Sequence, residues 1–150
     1  MIPSTIRSAE STPLTSAIIF SIGLIAGVFY REFTRAHDFE GATQLSVVHT
    51  HSLILGMTMN LLFLVFALLL RIDKDRRFTA FFWVYNAGAA WTVGFLAFHG
   101  ICQVLGQDFP ESLAIVAGMG HIIITVGFVL FFVILNKYLK RWQKKNNVSQ

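Results

Sequence analysis

The chain has 150 residues, of which 55% are hydrophobic and 13% are charged, with a mean hydropathy of +0.62. This composition is too apolar for an ordinary soluble domain, in which apolar residues make up about 45–50% of the sequence. A single cysteine excludes an internal disulfide and a multi-thiolate metal centre. The net charge of +4 comes from basic residues beside apolar runs, which indicates membrane topology and not nucleic-acid binding.

Four apolar runs follow one another along the chain, each long enough to cross the roughly 30 Å hydrocarbon core of a bilayer. We predict spans at 15–36, 45–70, 78–105 and 111–138, within one domain that covers residues 1–150. The polar segments between them are short. Because spans joined by short loops pack beside each other in opposite directions, the sequence predicts an all-α integral membrane protein, a four-helix antiparallel bundle.

The distribution of Lys and Arg predicts the orientation of this bundle. Ten of the twelve basic residues lie on the side of the two termini and of the loop at 71–77, whereas only Arg31 and Arg35 lie on the other side. The positive-inside rule therefore predicts that both termini are cytoplasmic. We expect a multi-pass protein of the cytoplasmic membrane that is surrounded by lipid and has no nucleic-acid partner.

Four of the five histidines fall in the outer half of the predicted bundle, on three different spans. His49 and His51 open the second span, and His99 lies near the outer end of the third. His121 lies about ten residues into the fourth span, which corresponds to a depth of roughly 15 Å. Ionisable side chains at membrane depth are costly and tend to be functional, so we expect these histidines to form a binding site.

Helical rotation of about 100° per residue separates the side chains of His49 and His51 by about 200°. His49 is predicted to share a face with Gly56 and Asn60, and His51 is predicted to point to the other side. The two imidazoles cannot both reach one metal ion without distortion of the helix. They are therefore predicted to serve two sites, one on each side of the second span.

Haem b is the cofactor that this pattern favours, because neutral imidazole is a good ligand for haem iron. Glycines such as Gly56 leave room for a flat macrocycle. His99 and Gln103 belong to a small and polar stripe on the third span, which is predicted to face inward or toward a cofactor. Arg31 and Arg35 lie on the outer side, where they either pair with haem propionates or anchor the helix at the interface.

Two other classes of function remain open on the sequence. One is a copper- or zinc-binding or transport protein that uses His49, His51, His99 and His121 as ligands. The other is a structural or assembly subunit without a cofactor, in which the histidines only form hydrogen bonds.

Four segments of the chain resemble a family of four-helix bacterial membrane proteins of the DUF2871 type, whose name carries no function. The matching segments are GVFYREFT at 27–34, LSVVHTH at 45–51 with Gly56 beyond it, GICQVLG at 100–106 and GMGH at 118–121. The resemblance implies a bacterial cytoplasmic membrane and covers nearly the whole chain.

A more distant resemblance is to the haem-bearing subunit of haem–copper oxidases, whose helices form three arcs of four. The His49-Thr50-His51 stretch is similar to a His-x-His on the second helix of one such arc, where each histidine binds a different haem. The resemblance implies that three copies of this chain close a ring, a homotrimer in which His49 of one protomer and His51 of the next hold an interface haem. In the alternative geometry, a haem inside one bundle is bound by His51 or His49 together with His99 or His121.

The role implied is electron transfer or diatomic-gas (O₂ or NO) chemistry at the outer face of the membrane. Two axial histidines favour electron transfer with a redox partner, whereas one open coordination position favours gas binding or turnover. If the protein is an enzyme, we expect a haem-dependent oxidoreductase.

Overall fold

The computed structural model describes residues 4–147, with side chains at Leu14 and from Ser16 to Lys145. The ends of the predicted domain, residues 1–3 and 148–150, lie outside this described part. Within it the chain is all-helical, and the helices are α1 (Ser4–Ala36), α2 (Leu45–Leu70), α3 (Arg76–Val104) and α4 (Glu111–Asn147). Each contains a segment long and apolar enough to span a membrane, in agreement with the four predicted spans.

The helix ends follow from local chemistry. α2 ends at Leu70 because Arg71 takes a left-handed backbone conformation, with φ of 54°. A 3₁₀ turn at Ile72–Lys74 follows, and Asp75 then caps α3 by accepting a hydrogen bond from the backbone N–H of Arg77 at 3.1 Å. α4 continues beyond its predicted end at 138, because the basic residues after it are good helix formers.

One stretch of α2, Ser52–Thr58, is π-helical. The backbone N–H of Met59 donates to the carbonyl of Ile54, five residues back, instead of to that of Leu55. A π turn contains one more residue than an α turn. The side chains before the turn are therefore rotated, relative to those after it, by roughly 100° from their positions in a continuous α-helix. The rotational positions predicted for residues beyond this segment therefore need correction.

The rotational position of Asn60 on α2 differs from the predicted one. His49 packs against Gly27 and Gly56 packs against Ile19, so the two share the face of α2 toward α1, in agreement with the predicted common face. Asn60 instead forms hydrogen bonds with Asn86 of α3, so the prediction that it shares the face of His49 is wrong. The wide turns of the π-helical segment, which the sequence analysis treated as α-helical, explain the difference.

Glycines bring α3 and α4 close together along most of their length. A Cβ on Gly88 would lie 2.8 Å from the backbone nitrogen of Ile124, and Gly120 lies directly against Thr92. Below them, toward the end that carries Asp75, an aromatic cluster fills the space between α2, α3 and α4. Phe63 is its centre and is fully buried.

α4 approaches α2 only near that Asp75 end, where it contacts Met59–Leu70 and the 3₁₀ turn. Across the described residues, no Cα atom of α4 lies within 8 Å of α1 or of the 45–58 half of α2. The four helices therefore do not close into a ring. At the opposite end, which carries the loops at 37–44 and 105–110 and is called the two-loop end below, a groove opens between α2 and α4.

Candidate functional site

The groove between α2 and α4 contains two of the predicted site residues. We call it the histidine groove; its volume is about 310 Å³, and its walls are formed by Thr50, His51, Ile54 and Leu55 of α2 and by His121 and Ile124 of α4. Thr50, Ile54 and His121 are exposed, so the groove is open on one side. The structure therefore brings together His51 and His121, which are 70 positions apart in the sequence.

The hydrogen bond of His51 determines which of its ring nitrogens is able to bind a metal. Its Nδ1 lies 2.9 Å from the backbone carbonyl oxygen of Val47. A carbonyl oxygen only accepts hydrogen bonds, so Nδ1 carries the proton and Nε2 carries the lone pair. An N–H donated to a backbone carbonyl is the usual arrangement behind a histidine ligand, because it fixes the ring orientation and the tautomer.

His99 of α3 lies in a second, smaller cleft that also contains His121. This cleft has a volume of about 120 Å³, and Gly118 forms part of its wall. The ring of His99 stacks on Phe109 of the loop at 105–110, with ring centroids 4.2 Å apart and an angle of 18° between the planes. His121 thus lies between His51 and His99.

His49 points away from both clefts. Its side chain packs against Gly27 of α1, and its Nε2 lies 3.3 Å from the hydroxyl oxygen of Thr50. Its Nδ1 is buried and has no hydrogen-bond partner among the described residues. His49 and His51 therefore lie on different sides of α2, as their predicted separation of about 200° requires.

Arg31 and Arg35 lie at the two-loop end of α1, which is separated from the histidine groove by α2. Arg31 pairs with the neighbouring Glu32 at 3.7 Å, and its side chain is 78% exposed. Arg35 is also exposed. Among the described residues no Cα atom of α1 lies within 8 Å of α4, and these two cations do not line the histidine groove of their own chain.

Two other residues of the predicted cofactor site, Gln103 and Gly56, have contacts within the fold. Gln103 accepts a hydrogen bond from the backbone N–H of Gln44 at 2.8 Å, and so caps the beginning of α2. Gly56 lies against Ile19 of α1 and borders a separate apolar cleft of about 390 Å³ between α1, α2 and α3. No histidine lines this apolar cleft.

One model of a known protein family matches the chain. The model described as "Protein of unknown function (DUF2871)" matches residues 11–138. The chain belongs to this family. No curated protein and no solved structure matches it, so the likeness to haem–copper oxidases is supported by no comparison. The function of this DUF2871 protein has to be inferred from its own residues.

Polar side chains between α2 and α3 form a network that was not predicted from the sequence. Asn60 and Asn86 exchange hydrogen bonds at 2.8 and 3.1 Å, and the hydroxyl of Tyr85 donates to the carbonyl of Leu55 at 2.9 Å. Two asparagines inside apolar spans were the available signal, because a polar side chain at membrane depth requires a partner. This network supports the wall of the groove in this DUF2871 protein.

Proposed function

We propose that the protein binds haem b in the histidine groove, with Nε2 of His51 as an axial ligand to the iron. The observation that carries this proposal is the hydrogen bond from Nδ1 of His51 to the Val47 carbonyl, which leaves Nε2 of the neutral imidazole available to bind a metal. Apart from Thr50, the rest of the groove is formed by the apolar side chains of Ile54, Leu55 and Ile124, which suit a flat macrocycle. Bound haem would supply one-electron chemistry at this position.

Haem fits these residues better than copper or zinc does. Zinc sites use three or four protein ligands, whereas haem iron takes four nitrogens from its own macrocycle and needs only one or two from the protein. The residues that the structure describes include no group of three or more His, Cys, Asp or Glu side chains close enough to hold an ion. Two imidazoles in one groove match the requirement of haem.

Electron transfer is the role we infer for this haem. His121 lies on the wall of the groove formed by α4, so His51 and His121 would both hold the haem. Held by two histidines, the haem would exchange electrons with a redox partner and would leave no position open to a diatomic gas. Pairing of His51 with His121 in one chain accounts for the contacts better than pairing with His49, whose side chain packs against its own α1.

We infer an antiparallel arrangement with both termini in the cytoplasm of a bacterium. Contacts between α3 and α4 support the first part, since Tyr85 lies beside Gly127 and Thr92 beside Gly120. Residue numbers that rise along one helix as they fall along its neighbour are those of antiparallel packing. The excess of Lys and Arg near the termini supports their cytoplasmic location. By the same rule, the histidine groove is expected on the outer side.

We also infer a homo-oligomer, with three copies as the preferred number. The histidine groove is open on one side, and none of the described residues that line it is a Lys or Arg that could pair with haem propionates. Arg31 and Arg35 are exposed on the far side of α2, which is where a neighbouring copy in a closed ring would present its groove. The arginines of one protomer would then pair with propionates held by the next.

The test is the absorbance spectrum of the full chain, purified in detergent after expression with haem supplied. We expect a Soret band, and sharp bands after dithionite reduction that carbon monoxide does not shift. His51→Ala is expected to lose the Soret band, whereas His37→Ala is the matched control, because His37 has the same type of Nδ1 bond, to the Phe33 carbonyl, in an exposed loop. A protein without a Soret band, or His51→Ala with a normal one, would refute the proposal. A shift with carbon monoxide would replace electron transfer by gas binding.

A further inference from the structure

Side-chain donors occupy carbonyl groups of the π-helical segment, which begins directly after His51. In a π-helix the backbone alone forms poorer hydrogen bonds than in an α-helix, so such segments need support from their surroundings. Three donors provide it here: Thr58 Oγ1 to the carbonyl of Leu53 at 3.0 Å, Asn60 Nδ2 to that of Gly56 at 2.6 Å, and the Tyr85 hydroxyl to that of Leu55 at 2.9 Å.

Tyr85 is the donor that comes from another helix. It binds the carbonyl of Leu55, the group that would accept the N–H of Met59 in an α-helix, while that N–H bonds to Ile54 instead. The side chain of Tyr85 is fully buried. Its ring packs edge to face with Phe63 at 4.9 Å, so the hydroxyl is held in place.

The π-helical segment determines the direction of the His51 side chain. His51 and Asn60 are nine positions apart, which in a continuous α-helix would place them on opposite sides of α2. Asn60 is anchored to Asn86 of α3, so a continuous α-helix would turn His51 away from α3 and α4. In the structure, His51 instead lies in the groove beside His121 of α4.

We infer that Tyr85 and Asn60 are positioning residues, which hold the π-helical segment and thereby keep His51 directed into the histidine groove. The effect of these two residues on haem ligation rests on the proposed function. Their effect on the direction of the side chain at position 51 does not. The two statements can therefore be tested separately. Each donor stabilises the π-helical arrangement over an α-helical one in which position 51 leaves the groove.

The first experiment needs no cofactor. In the full chain with Cys102→Ala, His51→Cys and His121→Cys are introduced together, and their rate of cross-linking by a short bifunctional thiol reagent is measured in detergent. Tyr85→Phe removes only the hydroxyl and is expected to lower this rate about three- to tenfold, as loss of one hydrogen bond predicts. Asn60→Ser, the second variant, is expected to act in the same direction. Tyr138→Phe, which removes a hydroxyl near the Asp75 end, is the matched control and should leave the rate unchanged.

Cross-linking at the unaltered rate in both Tyr85→Phe and Asn60→Ser would overturn the inference, even if both variants unfold at lower temperature. In the chain that retains its histidines, Tyr85→Phe is further expected to change the low-spin haem signal in electron paramagnetic resonance, whereas Tyr138→Phe is not. If the native chain binds no haem, the proposed function fails while the cross-linking result still decides whether Tyr85 and Asn60 position His51.

Discussion

Replacing Asp75 by asparagine is expected to lower the free energy of unfolding by about 2 kcal/mol at neutral pH. The carboxylate of Asp75 is only 6% exposed and connects the loop between α2 and α3 to α4. It accepts hydrogen bonds from Lys137 Nζ at 2.7 Å, from the Arg77 side chain at 3.2 and 3.3 Å, and from the Arg77 backbone N–H at 3.1 Å.

The magnitude comes mainly from Lys137. A charge-assisted hydrogen bond contributes about 1.5–3 kcal/mol, and the one to Lys137 is short and partly buried. The guanidinium of Arg77 is open to solvent and contributes little, and the asparagine oxygen still caps α3. A loss of about 2 kcal/mol corresponds to a fall of roughly 4–8 °C in unfolding temperature for a chain of this length.

The effect has a defined pH dependence. Hydrogen bonds from Arg77 and Lys137 hold the pKa of the Asp75 carboxyl well below its usual value, despite its burial. A lowered pKa in the folded state stabilises the fold at pH values above about 4, the unfolded pKa, and this contribution is lost as the pH falls below it. The difference between the native chain and Asp75→Asn should be constant from pH 5 to 8 and shrink below pH 4.

Thermal unfolding in detergent, followed by circular dichroism at several pH values, measures this difference. Asp73→Asn is the matched control in the same loop, because Asp73 Oδ1 lies 3.9 Å from Arg71 Nε and accepts no hydrogen bond from the described residues. The control should change the unfolding temperature little. An Asp75→Asn variant as stable as the native chain at pH 7, or a difference that persists undiminished at pH 3, would refute the reasoning.

Two further substitutions test the packing and the assignment of a site residue. Gly88→Ala is expected to lower the free energy of unfolding by about 1–3 kcal/mol, because the new Cβ would meet the backbone of Ile124. Gly94→Ala is the control, because a Cβ at Gly94 would have open space around it. Equal unfolding temperatures of the two variants would contradict the close approach of α3 and α4. Gln103→Ala removes the acceptor of the Gln44 N–H and is expected to lower the free energy of unfolding by about 1 kcal/mol. The Soret absorbance of this variant is expected to be unchanged. Loss of haem at unchanged stability would instead make Gln103 part of the cofactor site.

The spans themselves were predictable because their cause is local. An uncharged apolar run from Leu45 to Leu70 has to satisfy its backbone hydrogen bonds internally in a bilayer, so a helix over these residues follows from composition and length. The divergence of His49 and His51 follows equally from helical rotation, since only one residue separates them. Neither conclusion needs any knowledge of how the helices pack.

Contacts between residues far apart in the chain decided which residues form the candidate site. The stretch from Ser52 to Thr58 carries no composition that marks it as π-helical, and part of its support comes from Tyr85, 30 residues from the carbonyl it binds. Gln103 became a cap for α2 because Gln44, 59 residues away, lies beside it.

The sequence by itself therefore determined an all-helical chain with four segments long and apolar enough to span a membrane, and with histidines concentrated in one half of these segments. Only the tertiary structure decided that His51 and His121 share a groove while His49 faces α1. The physical reason is that hydropathy and rotation act within one helix, whereas the groove exists because α4 packs along α3 and stays away from the first half of α2.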